Sequence, residues 1–363
     1  MHDVSADSPT VAGSTVPSSL APHTTLRLGG PARRLVSAEN ADELVELTKA
    51  ASRTGDPLLL LAGGSNVVIG DDGFAGTAIL IRSRGVEVIS RRPDQLIIRV
   101  QAGHPWDEFV AETVTAGWAG VECLSGIPGS TGATPIQNVG AYGQDVAETI
   151  SSVTVYDRAD GVIRDMPAAD CGFGYRASIF KHNERFVVLS VDFRLRPATE
   201  SGPVRYAELA RSLGVTQGDR VPLAAARETV LTLRAGKGMV LDSGDRDTWS
   251  VGSFFTNPIL DGGAWEKLRA ATEGTGEPPG WPGEGGRVKV SAAWLIDRAG
   301  FGKGYPGGDV PVSISTKHTL ALTNRGSGST AQLLGLAREI RDGVRDRFGV
   351  LLHPEPVLVG CEI

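Results

Sequence analysis

Cysteine is scarce in this chain: three among 363 residues, Cys123, Cys171 and Cys361, far apart and with no C-x-x-C pair. An odd, scattered set excludes a disulfide framework and points to a reducing compartment. Long apolar runs are missing too; none approaches the roughly 20 residues that a membrane-spanning helix needs, so no membrane association is expected. Positive charge is in deficit. Lys and Arg total 36 against 42 Asp and Glu, a formal net charge of −6, and no basic stripe is available to neutralise a nucleic-acid backbone. The six histidines show no metal-ligand spacing, so no metal site is expected. Met1 to Pro22 has neither a cationic start nor an apolar stretch. It is rich in Ser, Thr, Pro and Ala and reads as a flexible tail over 1–21, not a secretion signal. Deleting Met1 to Leu20 should then be harmless, and a soluble cytoplasmic protein is the expectation.

Familiar nucleotide and nucleophile motifs are absent as well. The one literal G-x-G-x-x-G, Gly302 to Gly307, follows a helical pattern, contains Pro306 and leads to a strand-like stretch. A dinucleotide fingerprint needs a strand before it and a helix after, so this one reads as a turn. Gly236-Lys237 is followed by Gly238 where a phosphate-binding loop needs Ser or Thr, and no G-x-S-x-G occurs.

What the chain does have is glycine and ordinary apolar content: 47 glycines, with 41% hydrophobic and 21% charged residues, which is a normal globular composition at a length suited to two domains. Asn40 with Asp42 and Glu43 marks a helix start, and Gly55-Asp56-Pro57 its end. Short strands are expected at Arg34 to Val36, Leu58 to Leu61, Val67 to Ile69, Ala78 to Ile81, Val86 to Ile89 and Leu96 to Gln101. More follow at Val153 to Tyr156 and Phe186 to Leu195, with a helix from Trp106 among them. Pro197 to Pro203 reads as a linker. Beyond it, helices are expected at Ala224–Ala235, Trp265–Thr272, Ala292–Ala299 and Ala331–Phe348, with strands at His318–Asn324 and Pro356–Val359. The class is α+β, with a small α/β unit at the C-terminal end.

Two glycine-rich loops carry the functional signal. Gly63-Gly64-Ser65-Asn66 follows a buried strand, and the segment from Ser125 to Gly143 is long yet studded with Ile127, Ile136 and Val139, which favours order. Glycine lets backbone N–H groups approach an anion closely, a means by which an acidic protein holds a diphosphate. Either loop alone reads as a tight turn; together in one half of the chain they suggest a ligand.

Ala62 to Asn66, Ser125 to Gly129, Pro135 to Gly143 and Phe173 to Lys181 closely resemble the UDP-N-acetylenolpyruvoylglucosamine reductase family. The resemblance continues through Gly252 to Pro258, Ala293 to Asp297 and Glu355, and covers nearly everything from Thr24 to Gly360 in the family's order. It implies a two-part FAD-binding domain of the vanillyl-alcohol-oxidase type over 22–198 and a smaller substrate-binding domain over 199–363. Non-covalent FAD is implied, held by Gly63, Gly64, Ser65 and Asn66, and by Ser125, Gly126, Ile127, Pro128 and Gly129. The same long loop would add Thr131, Gly132, Ala133, Thr134, Gln137, Asn138, Gly140, Tyr142 and Gly143. NADPH is the implied hydride donor and a UDP-linked enolpyruvyl amino sugar the substrate, on a monomeric enzyme.

The family's catalytic positions fall on Arg176, a permanent cation suited to a carboxylate, on Ser253 as proton donor, and on Glu355, fixed between Pro354 and Pro356. For Glu355 the implied role suggests burial and a raised pKa. Tyr175, Tyr206, Lys237 and Asn257 match substrate-pocket positions. His318 stands where some members carry glutamine; because histidine titrates near neutrality, a different pH dependence of substrate affinity is expected. The competing readings are another FAD oxidoreductase of the same fold, or an inactive UDP-sugar-binding module.

Overall fold

Asn40 and Gly55 set the length of the first helix, α1 (Ala41–Thr54): the Asn40 side chain accepts from the Glu43 N–H at 2.9 Å, and Gly55 takes φ 67° beyond the last turn. The computed structural model describes residues 18–272 and 276–363. Leu44, Val45, Thr48 and Ala51 form the buried face of α1, wedged between two sheets. On one side lie the strands Pro31–Ala38, Phe74–Ile81 and Leu58–Leu61, all parallel. On the other is an antiparallel sheet ordered Val162–Pro167, Ile150–Asp157, Phe186–Pro197, Leu96–Gln101 and Val86–Arg91. Its central strand is apolar on both faces because both are covered. Val187 and Leu189 pack with Leu44 and Val45 of α1, while Val188, Val191 and Phe193 pack in a second core with α2 (Trp106–Thr115). Trp106, Phe109 and Phe193 form an aromatic trio there, with centroids 5.1–5.7 Å apart.

Beyond the expected linker, α3 (Ala207–Leu213) and α4 (Leu223–Gly236) pack back onto this first unit: Leu209, Ala226 and Val230 share a core with Cys123, and Arg227 makes a two-pronged ion pair with Asp107 at 2.6 and 2.8 Å. The last core joins α5 (Gly262–Ala271), α6 (Ala292–Arg298) and α7 (Thr330–Phe348) with Phe254 and Phe255, and also takes in Leu26, Leu28 and Val68 from the N-terminal half. Ser329 and Gln332 form a reciprocal cap on α7.

Three expectations change. The strand expected over His318–Asn324 is only Leu322–Asn324; the Ser315 hydroxyl accepts from the N–H groups of Lys317 and His318 and turns the chain there. The strand expected at Pro356–Val359, now Val357–Val359, does not pair within the C-terminal unit; it runs parallel to Val67–Ile69. The tail expected over 1–21 ends sooner: Ser18–Ser19 pairs with Pro31–Ala32 and Leu20 is fully buried, so the harmless deletion cannot extend to Leu20. Residues 1–17 lie outside the described residues. The glycines 302–307 form a turn, as expected.

Candidate active site

The two glycine loops interlock. A side chain at Gly63 would place its Cβ 2.5 Å from Gly129 Cα, and one at Gly64, where φ is +58°, would strike the His23 carbonyl. Ser65 Oγ donates to the Pro128 carbonyl at 2.9 Å and Asn66 Nδ2 to Gln137 Oε1 at 2.8 Å, so the loops make one wall. That wall borders a cavity of about 430 Å³. Gly63 to Asn66, Ile127, Pro128, Ala133, Thr134, Gln137 and Gly140 line it on this side, and Tyr175, Arg176, Ser253, Asn257 and Glu355 line it as well.

Arg176, at φ 52°, is aimed by two backbone carbonyls of the long loop: Nη1 donates to Asn138 O at 3.1 Å and Nη2 to Gly140 O at 2.6 Å. Its Nε lies 3.6 Å from Glu355 Oε1. Glu355 reaches this place because its N–H donates to the Phe254 carbonyl at 2.8 Å. Phe254 in turn donates to Leu320 O, and Ser253 bridges Ala321, so residues 253–255 run between the 320–321 and 354–355 segments. Gly252, at φ 75°, makes the turn that precedes them. Burial pushes the Glu355 carboxyl up from its ordinary value, against the pull of Arg176 and Lys181. Burial raises the Tyr175 phenol too, against the pull of Arg176. Asn257 Oδ1 accepts from the Ala292 N–H at 2.9 Å, at the start of α6.

Other expected residues stand behind the wall. Ser125 and Thr131 are fully buried and donate to the carbonyls of Glu122 and His104. Asn138 spans to Gly174 O and the Ala147 N–H, the Gly126 N–H donates to Asp107 Oδ1, and Gly132 packs on Ala102 as Gly143 does on Arg205. These residues shape the loop without lining the cavity. Tyr142, Tyr206, Lys237 and His318 are also outside its lining. Lys237 Nζ pairs with Glu208 at 2.7 Å and lies 5.7 Å from the Tyr142 ring, which meets Tyr206 edge-on at 5.5 Å. The His318 imidazole is pushed down to about 4, first by burial and then by Lys237, Lys303 and Arg234. Titration near neutrality, expected from its side chain alone, is therefore not a property of this site.

Sequence reasoning passed over Ser130, Lys181, Arg234 and Ser250, which line the same cavity. Ser130 and Lys181 lie inside the glycine segment and the Phe173 to Lys181 block, which was signal enough. FAD fits what is there. Closely opposed glycine backbones meet at the wall, and Ser130 Oγ, buried and without a partner among the described residues, is a polar group awaiting one.

A family profile described as an FAD binding domain matches residues 32–166, and one for the C-terminal domain of UDP-N-acetylenolpyruvoylglucosamine reductase matches 244–359. Fold and site define an FAD-binding oxidoreductase. Reductases of that name from Salinispora arenicola and Thermobifida fusca are 65% and 56% identical to this chain, each over 95% of it and over 95% and 97% of their own lengths. The chain belongs to the UDP-N-acetylenolpyruvoylglucosamine reductase family. The crystal structure of the enzyme from Thermus caldophilus shares the fold, with a TM-score of 0.66 and 23% identity over 96% of this chain and 100% of that one.

Proposed function

We propose that the chain reduces UDP-N-acetylenolpyruvoylglucosamine to UDP-N-acetylmuramate with NADPH, as a cytoplasmic monomer supplying peptidoglycan precursors. The observation that carries this reading is the convergence of Arg176, Ser253 and Glu355 on the cavity walled by the two glycine loops. FAD bound there supplies hydride transfer, from the nicotinamide and then to the enolpyruvyl methylene carbon. Neither glycine loop contains histidine or cysteine, which supports non-covalent binding. No helix among the described residues is long and apolar enough to cross a membrane.

Hydride addition at the methylene carbon leaves negative charge on the neighbouring carbon and its carboxylate. Arg176, its plane fixed by the Asn138 and Gly140 carbonyls, offers that charge a preorganised cation. Ser253 gives its hydroxyl proton to the carbon. A serine is a weak acid, and the transfer runs because a carbanion is an extremely strong base. Glu355, whose carboxyl burial shifts upward and which lies 3.6 Å from Arg176 Nε, assists that arginine in holding the enolic intermediate. Tyr175 and Asn257 border the same space, and Lys237, Tyr206 and His318 form a group beside it that suits the UDP end of the substrate.

The test is stopped flow on purified holoenzyme. NADPH alone should bleach the flavin, and the enolpyruvyl sugar should restore it without oxygen. Ser253→Ala should leave bleaching intact and slow recovery by about 10²–10⁴-fold. Equal slowing of both halves would remove Ser253 from the proton-donor role, and a colourless protein that cannot take up FAD would reject the reading altogether.

A further inference from the structure

A second cavity, of about 330 Å³, shares no lining residue with the first. It forms where the strand Phe186–Pro197 changes partners: Arg194 is paired with Ile97, and Arg196 with Ala119 of the short strand Trp118–Ala119. Alternate residues of a strand project to one face, which sets Arg194 and Arg196 side by side on the cavity lining. Arg205 and Arg220, from the segment that leaves the expected linker, bring the lining arginines to four. The cavity is braced from inside. Glu122, only 1% exposed, accepts from the Gly120 N–H at 2.7 Å with one oxygen and from the Gly202 N–H at 2.9 Å with the other. One buried carboxylate thus pins together two segments that border the space.

Counter-charge is short there. Of the two acids in the lining, Glu148 pairs with Arg205 at 2.7 Å, and Asp94 makes no ion pair among the described residues. Arg220 has only the Ser201 carbonyl, at 2.8 Å. The guanidiniums of Arg194 and Arg196 have no hydrogen-bond or ion-pair partner among the described residues. Three arginines without a carboxylate therefore border one concavity, in a chain whose acidic residues outnumber its basic ones by 42 to 36. A basic patch on a convex surface is simply solvated; a cleft lined by one sign of charge concentrates its field on whatever enters.

The lining also says what kind of anion fits. A guanidinium presents paired N–H groups to phosphate or carboxylate oxygens. A phosphomonoester carries about two negative charges at neutral pH and three acceptor oxygens, enough to meet Arg194, Arg196 and Arg220. At about 330 Å³ the space is at the small end of ligand cavities, roughly 300–1,000 Å³, and is larger than a bare inorganic ion needs. No aromatic side chain lines it, so a nucleobase finds nothing to stack on, whereas the amides of Gln95 and Gln144 suit hydroxyl groups. We propose that this cavity is a second ligand site, for the phosphomonoester of a small polyhydroxylated molecule, with Arg194, Arg196 and Arg220 holding the phosphate. It is separate from the cavity assigned to flavin and sugar nucleotide, and it stands whether or not that assignment does.

Titration calorimetry on the full-length protein at fixed ionic strength tests it, with glucose 6-phosphate as the probe. The probe should bind in or below the millimolar range, glucose should not bind, and inorganic phosphate should bind at least tenfold more weakly. Replacing both strand arginines, Arg194→Gln with Arg196→Gln, should weaken the probe at least tenfold. Neither side chain donates to the protein's own groups, so this double variant should melt near wild type. Asp94→Asn removes a lining charge that repels phosphate and should tighten binding severalfold, a gain that misfolding does not mimic. Lys237→Met, outside this lining, should leave the affinity unchanged. No binding by wild type overturns the proposal, as does full affinity in the double arginine variant. Loss of affinity in Lys237→Met would move the probe to the neighbourhood of the main cavity and also overturn it. Inorganic phosphate binding as tightly as the sugar phosphate would overturn the ligand class. Should the double variant melt far below wild type, Asp94→Asn decides, and an unchanged affinity there counts against the site.

Discussion

Three titratable side chains are held away from their solution behaviour near the cavity, each by burial first. Glu355 is biased toward its neutral acid, Tyr175 toward its neutral phenol, and His318 toward its neutral base, with a pKa pushed down to about 4. For His318 the consequence for stability has a definite sign. Its folded pKa lies below the ordinary 6.5, so the unfolded chain binds the extra proton between 6.5 and about 4. Stability from this group is full above 6.5 and is lost as pH falls toward 4. His318→Gln should flatten that part of a curve of unfolding free energy against pH, and should leave the pH profile of KM between about pH 7 and 8 unchanged. A KM profile in that range that shifts on substitution would mean that substrate, not burial, controls the ring.

Among the elements, the glycine loops carry the greatest sensitivity. Gly63→Ala sets a methyl 2.5 Å from Gly129 Cα, backbone against backbone, where no rotamer change relieves it. Overpacking of this kind costs about 1–3 kcal/mol. Because it wedges open the wall proposed to hold FAD, purified Gly63→Ala should carry markedly less flavin per chain, measured by absorbance at the flavin band against protein content. Full occupancy would show that the loops yield without losing their ligand. These loops were legible in the sequence because glycine at several close positions has few other uses, and the strand Leu58–Leu61 before the first loop was bounded correctly by its apolar run. The partner of Val357–Val359 was not legible: a three-residue apolar run fixes no register, and its mate lies almost 300 positions earlier in the chain. Ser18 to Leu20 looked like tail because pairing with Pro31 and Ala32, not composition, orders them. Arg234 escaped notice for a different reason. A basic residue in the last turn of a helix is the ordinary complement to the dipole, and only the lack of a carboxylate within ion-pair reach among the described residues, visible in three dimensions, sets it apart.

At the scale of the molecule, the site exists only where two halves meet: the glycine loops belong to the first unit, while Ser253 and Glu355 belong to the segments around the last core. The seam is tied at several points near one another. Val357–Val359 completes a parallel pair with Val67–Ile69; Thr330 Oγ1 donates to Ile69 O at 2.6 Å, and Asn324 Nδ2 to Leu26 O at 3.0 Å. Two residues past that strand, Asp71 accepts from the N–H groups of Thr330 and Ala331, both at 2.8 Å, so a carboxylate of the first unit caps the longest helix of the second. Loss of a helix cap costs about 0.5–2 kcal/mol, and the charge is favourable at the positive end of α7. Asp71→Ala should therefore lower the unfolding free energy by roughly that amount in a denaturant titration. Asp71 does not line the cavity, so, on the function proposed above, flavin content should stay at the wild-type level while substrate reduction slows, the distance from the glycine-loop wall to Ser253 and Glu355 being what the seam controls. Asp71→Asn, which keeps the acceptor oxygen and loses the charge, should fall between the two. A drop in stability with normal substrate reduction would show that the remaining ties hold the halves in register by themselves, and that Asp71 serves α7 alone.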